Sequence, residues 1–162
     1  MQHVFWFKLN GSDSGQYSYN AVRRWSTKAK VKVFDLDMII CPIHVGKTHW
    51  ALGVCDLKDK AFYYYDSLNG RVPMFEEVFK KYIQDEHRDK LKAELPDPNA
   101  WSEQPCKHQP PRQFNGYDCG VFMCQFADCV ARDVEFDFDQ DMIPDIRMKM
   151  ACEISREQLS TA

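Results

Sequence analysis

The sequence predicts one α+β domain in which a small, mostly antiparallel sheet packs against helices. Two observations carry this expectation. Three short β-type runs follow one another between residues 37 and 66, separated by turn residues. The longer stretches of helical spacing come after them. Strands in one block followed by helices indicate α+β architecture rather than a doubly wound sheet. The chain of 162 residues suits a single domain over 1–162 and buries a core without covalent staples.

The elements follow in order. Tyr17, Ala21, Val22 and Trp25 recur at helical spacing, which predicts a helix over Tyr17 to Thr27. Asp37-Met-Ile-Ile-Cys-Pro-Ile-His44 is a short apolar run with β-branched residues, hence a strand. Gly46 and Lys47 make a turn. Thr48-His-Trp-Ala-Leu-Gly-Val-Cys55 alternates and gives a second strand. Asp56 to Lys60 turns the chain again. Ala61-Phe-Tyr-Tyr-Tyr-Asp66 is a third strand, closed by Ser67, Asn69 and Gly70. Together the three predict an antiparallel meander. Val72, Phe75, Phe79, Tyr82 and Ile83 share a face of a helix over Val72 to Lys92, and Pro96 and Pro98 stop it. Ala100 to Cys106 predicts a strand at the sheet edge, and Pro105 to Pro111 a rigid loop. Gly116-Tyr-Asp-Cys-Gly120 is a turn signal ahead of a buried helix through Val121 to Arg132. A last helix is expected over Asp145 to Leu159, after Met142-Ile-Pro144.

Composition narrows the function. Hydrophobic residues make up 44% and charged residues 28%, the balance of a soluble globular protein. A net charge of −3 argues against a nucleic-acid binder held by a basic face. No apolar run approaches the roughly 20 residues that span a bilayer. The start, Met-Gln-His-Val-Phe-Trp, has no basic leader and apolar stretch, so no secretory signal is read. Seven cysteines, spread out and partly in apolar runs, suggest packed thiols in a reducing compartment rather than a disulfide framework. A reactive cysteine is then a candidate for chemistry.

Cys119 sits at the expected start of the helix through Val121, Phe122, Phe126 and Val130. Unpaired N–H groups and the dipole at a helix N-terminus favour a thiolate. Gly116 and Gly120 flank it and allow a sharp turn and close approach of a substrate backbone. Taken alone, Cys119 is one more buried thiol, like Cys124 and Cys129. The flanking glycines, the cap position and suitable partners favour a nucleophile instead. His49, on a rigid strand, is the candidate base; most histidines are simply packed or solvated. His3, His44 and His108 compete with it, while His87, in a charged helix, is expected in solvent. Asp66 ends the neighbouring strand, where its carboxylate would fix the His49 tautomer and stabilise the imidazolium. Its ordinary reading is a turn-starting aspartate. Gln113, six positions before Cys119, carries a carboxamide able to donate to an oxyanion; in isolation it is a polar loop residue. Cys106-x-His108 and the five-residue steps from Cys119 to Cys124 and Cys129 do not match zinc spacing, so no metal is expected. Phe62 to Tyr65 reads as core strand rather than a base-stacking platform, and Lys28 to Lys32 as a solvated turn.

These residues together resemble the catalytic domain of the SUMO-specific (sentrin-specific) cysteine proteases, with plant-type members closest. The matching stretches are Ala21-Val-Arg-Arg-Trp-Ser26, Asp37 to His44, Thr48-His-Trp-Ala-Leu52, Tyr65-Asp-Ser-Leu-Asn-Gly70, Gln113-Phe-Asn-Gly-Tyr-Asp-Cys-Gly120 and Met142-Ile-Pro144. They stand in the family's order and cover nearly the whole chain. The resemblance implies a papain-like fold with His49 as base, Asp66 as orienting acid, Cys119 as nucleophile and Gln113 as oxyanion-hole donor. Trp50 matches the tryptophan that covers the substrate's terminal diglycine. It also implies cleavage after that diglycine, in SUMO precursors and in SUMO-lysine conjugates, by a cofactor-free and monomeric protein, nuclear or in part cytoplasmic. The chain begins after the family's usual upstream Trp-Leu-Asn-Asp helix, which forms the other tunnel wall. Trp6 and Trp25 match other positions. A protease for another ubiquitin-like modifier, or an inactive SUMO-binding module, are the alternatives.

Overall fold

The computed structural model describes residues 3–11 and 16–159. One sheet runs in the order β1 (Met38–Val45), β2 (His49–Asp56), β3 (Ala61–Tyr65) and β4 (Ser102–Glu103). The first three strands are the expected antiparallel meander. The edge strand expected over Ala100 to Cys106 is reduced to two residues, and it runs parallel to β3. The α-helices are α1 (His3–Leu9), α2 (Trp25–Ala29), α3 (Phe75–Leu91), α4 (Cys119–Arg132) and α5 (Ile143–Arg156).

Successive strand side chains point to opposite faces, and here both faces are covered. Cys41, Ile43, Cys55 and Phe62 meet Trp6 and Leu9 of α1 and Phe75, Phe79 and Ile83 of α3. Leu52, Val54, Tyr63 and Tyr65 meet Phe122 and Phe126 of α4 and Ile143 and Ile146 of α5. Three layers result, with the sheet in the middle. Burial of this kind removes Cys41 from reactivity, because desolvation pushes its thiol up to about 12. All seven cysteines are free.

Four helices differ from expectation. The segment Tyr17 to Thr27 is not one helix but a 3-10 turn at Tyr19–Ala21 followed by the five residues of α2. Its anchors are polar. Tyr17 Oη donates to Asp85 at 2.9 Å, and Tyr19 Oη and Ser26 Oγ both donate to Glu86 at 2.6 Å. Glu86 is 1% exposed, so these two hydroxyls satisfy a carboxylate that burial would otherwise penalise heavily. α3 starts at Phe75 rather than Val72, since Met74 sits in the left-handed region at φ 61°. α5 starts earlier than Asp145 because Pro144 fits the first helical turn. α1 was not foreseen. Its seven residues include no strong run of helix formers, and packing of Trp6 on Phe79 (centroids 5.7 Å apart, 18° between planes) fixes it.

Helix ends share a feature. Lys30, Lys92, Asp133 and Glu157 close α2, α3, α4 and α5, each with φ between 52° and 58°, where glycine is the usual occupant.

Gly53 lets α3 approach β2. A Cβ there would lie 2.7 Å from Phe75 Cε2 and 2.9 Å from Ile43 Cδ1. Gly53→Ala is therefore expected to cost about 1–3 kcal/mol by overpacking; a urea melt with an unchanged midpoint would contradict this.

Candidate active site

The site grows from the register of β2 and β3. Leu52 lies opposite Tyr65. Continued by one step, that register sets Ala51 opposite Asp66. His49 is two residues from Ala51, on the same face, and so sits on the diagonal from Asp66. His49 Nε2 lies 2.7 Å from Asp66 Oδ1. A carboxylate only accepts, so Nε2 carries the proton and Nδ1 is left as the basic nitrogen. The Asp66 side chain is 5% exposed and that of His49 16%, so the carboxylate lies deeper than the ring. Asp66 Oδ1 also accepts the Leu68 N–H at 2.8 Å. The turn-starting reading and the ring-orienting reading of Asp66 thus hold together. Gly70 walls the other oxygen, since a Cβ on it would stand 2.8 Å from Asp66 Oδ2.

Trp50 faces the opposite side of β2. It stacks on His44, its cross-strand partner on β1, with centroids 4.2 Å apart and 10° between planes. Trp50 Cδ1 is 3.6 Å from where a Cβ on Gly120 would sit. That contact sets the first turn of α4 against the His49–Trp50 end of β2. Cys119 is the first residue of α4 and is buried.

Gln113 is also buried. Its N–H donates to Ser67 O at 3.1 Å, its Oε1 accepts from Ser67 Oγ at 2.6 Å, and its Nε2 donates to Asn115 O at 2.6 Å. A carboxamide nitrogen has two protons, so one remains for a ligand. Ser67, the residue after Asp66, is thus bonded directly to Gln113, a tie that spans 46 positions of sequence.

The loop from Gln113 to Asp118 is held by side chains. Asn115 Oδ1 accepts from the N–H groups of Tyr117 (3.2 Å) and Asp118 (3.1 Å). Gln140 Oε1 accepts from Phe114 N–H at 2.8 Å. On the Asp118 carboxylate, Oδ2 accepts from Asn115 Nδ2 (2.6 Å) and Gln140 Nε2 (2.8 Å). Oδ1 accepts from Arg147 Nε (3.2 Å) and Nη2 (2.5 Å). Burial alone would raise this carboxyl, yet the hydrogen bonds from Asn115, Arg147 and Gln140 outweigh it and hold it below its ordinary value.

Among the described residues His49 is the histidine with a carboxylate partner. His44 lies under Trp50, and the edge of His108 meets Phe136. The His3 side chain lies outside the described residues. His87, expected in solvent, is instead 9% exposed. Its Nδ1 is 2.8 Å from Ala93 O, and its ring meets Phe34 at 4.9 Å. Gly116 differs too: a Cβ there would have no neighbour within 4 Å, and its φ is not left-handed. The turn itself does not need a glycine. Sequence reasoning missed Ser67, Asn115, Asp118, Gln140 and Arg147. The pattern Asn115-x-x-Asp118 signals an Asx turn; Gln140 and Arg147 carry no local signal. No group of three or more His, Cys, Asp or Glu side chains converges as a metal site among the described residues.

Residues 5–161 match the Ulp1 protease family, C-terminal catalytic domain. The chain belongs to this family. It is 40% identical over 156 residues to the ubiquitin-like-specific protease ESD4 of Arabidopsis thaliana, covering 95% of this chain and 31% of the relative. It is 40% identical over 142 residues to the human sentrin-specific protease 2, covering 87% of this chain and 23% of that one. The chain thus spans under a third of the length of these curated relatives. A solved structure of the C-terminal Ulp1 protease domain, in complex with Smt3, the yeast ortholog of SUMO, superposes with a TM-score of 0.76 at 31% identity. It covers 94% of this chain and 66% of that one. The expected papain-like α+β fold of the SUMO proteases is therefore present.

The lowered carboxyl of Asp118 fixes a sign for acid stability. Its contribution is fully present above the unfolded carboxyl value of about 3.9 and is lost as pH falls through the lower folded value. Asp118→Asn is expected to flatten the acid limb of the stability profile below about pH 4. Parallel acid limbs for the two proteins would contradict the assignment.

Proposed function

We propose that the chain is a thiol protease and isopeptidase that cleaves after the C-terminal diglycine of SUMO, in precursors and in lysine conjugates. The observation that carries this is the His49–Asp66 pair at 2.7 Å, on strands against which the helix headed by Cys119 is packed. Family membership and the solved Ulp1 domain bound to Smt3 support the choice of modifier.

In the proposed reaction the Cys119 thiolate attacks the carbonyl carbon of the last glycine. The oxyanion is met by the free Nε2 proton of Gln113 and the backbone N–H of Cys119. The tetrahedral species collapses, the C–N bond breaks, and imidazolium His49 gives its proton to the leaving amine. Water then attacks the thioester while His49 takes its proton. The products are a glycine carboxylate and the regenerated thiol. Asp66 holds the ring and stabilises its charged form throughout. Trp50 supplies the flat wall over the diglycine, where a residue larger than glycine finds no room. Nuclear location and a monomeric state belong to the same proposal and rest on the resemblance alone; imaging of a tagged chain and sedimentation check them.

The relatives' names extend to ubiquitin-like modifiers in general, which favours a second reading with a different modifier. Parallel hydrolysis of SUMO and Nedd-type fluorogenic fusions separates the two.

Cys119→Ser is expected to abolish cleavage of a SUMO fusion while retaining SUMO binding. Covalent capture of a SUMO vinyl sulfone at Cys119 supports the enzyme, whereas tight binding without an adduct points to an inactive binding module. Gly70→Ala is expected to lower kcat by about tenfold or more, because the added carbon displaces the Asp66 carboxylate and with it the ring. Unchanged turnover in that variant would remove Asp66 from the orienting role.

A further inference from the structure

Asp118 is the N-cap residue of α4, yet its side chain makes no cap hydrogen bond. An aspartate in this place ordinarily folds back to accept from the N–H of the second or third helical residue, here Gly120 or Val121. Its backbone oxygen takes the N–H groups of Val121 (2.9 Å) and Phe122 (3.1 Å), as an N-cap carbonyl does. Its carboxylate is drawn the other way, onto Asn115, Gln140 and Arg147. The N–H groups of Cys119 and Gly120 take no backbone partner among the described residues. Arg147 also donates from Nη2 to Tyr117 O at 3.2 Å, so it grips both the carboxylate and the peptide before it.

We propose that Arg147, assisted by Gln140, is a positioning residue that holds the Asp118 carboxylate off the first turn of α4 and so keeps the positive end of that helix open for the Cys119 thiolate and the oxyanion. The proposal rests on Cys119 being the nucleophile. Its physical content is one of sign. A carboxylate capping the first turn would compensate the dipole and set a negative charge beside a thiolate. Like charges at such range disfavour the anion. Paired with a guanidinium on α5, the same carboxylate leaves the helix dipole uncompensated. Other titratable groups near this end or on elements packed against α4 include His44 on β1, His49 on β2, Asp66 after β3, Tyr117 in the loop, and Asp145 and Lys149 on α5. None of these side chains is hydrogen-bonded to Arg147, whose partners are the Asp118 carboxylate and Tyr117 O.

The test uses the full chain and iodoacetamide. The alkylation rate at Cys119, read by peptide mass spectrometry against pH, gives a midpoint for thiolate formation. Arg147→Met is expected to raise that midpoint by about one pH unit and to lower kcat on a SUMO fusion about tenfold, with KM little changed. Arg147→Lys is expected to restore most of both. Adding Asp118→Asn to Arg147→Met removes the charge that swings back, and is expected to return the midpoint toward that of the unaltered chain. A merely structural role for Arg147 would not produce that return. If Arg147→Met does not fold, Gln140→Leu provides the smaller shift in the same direction. An unmoved midpoint in Arg147→Met, or none recovered in the double variant, overturns the proposal. If Cys119 of the unaltered chain reacts no earlier in pH than the exposed Cys152, the nucleophile assignment itself falls and this proposal falls with it.

Discussion

The diagonal between His49 and Asp66 depends on the pairing of β2 with β3 and on nothing nearer in sequence. A slip by one residue sends every side chain of a strand to the other face. It would turn Trp50 toward the acid and His49 away from it. What prevents the slip is burial on both sides of the sheet. Leu52 and Val54 are committed to the core with α4, and Cys55 to the core with α3. Gly53, with Phe75 and Ile43 pressed against it, fits at one position of β2 only. The geometry of the proposed base is thus enforced by large apolar groups several residues away.

A second constraint acts on the nucleophile side. The loop from Gln113 to Asp118 has few apolar contacts of its own, and Phe114 and Tyr117 are exposed. Its shape comes from hydrogen bonds to Ser67, Gln140 and Arg147, which belong to three separate parts of the chain. Strand-borne and loop-borne parts of the site are joined by Ser67, beside Asp66 in sequence and bonded to Gln113 in space. Such side-chain networks in a low-dielectric setting specify one arrangement, because leaving any member unpaired is costly.

Legibility in the sequence followed the physics of each part. The meander and α4 were readable because alternation and apolar spacing report burial directly. The contact of His49 with Asp66 was readable from their places at the ends of neighbouring strands. α1 was not, since its helicity comes from packing of Trp6 and Leu9 rather than from propensity. The stretch from Tyr17 to Thr27 misled because its apolar residues reach the core without one continuous helix; hydroxyls of Tyr17, Tyr19 and Ser26 on the carboxylates of α3 also hold its path. His87 looked solvated among charges, yet the adjoining turn at Ala93 and the Phe34 ring enclose it. Arg147 was invisible because its partner lies 29 positions away.

The side-chain-bearing residues that end four helices have a further meaning. Lys30, Lys92, Asp133 and Glu157 each occupy a backbone state that a β-carbon makes uncomfortable. The fold tolerates this four times over, so its thermal tolerance lies below what the same backbone can reach. Exchange for glycine at such ends is headroom open to evolution or engineering.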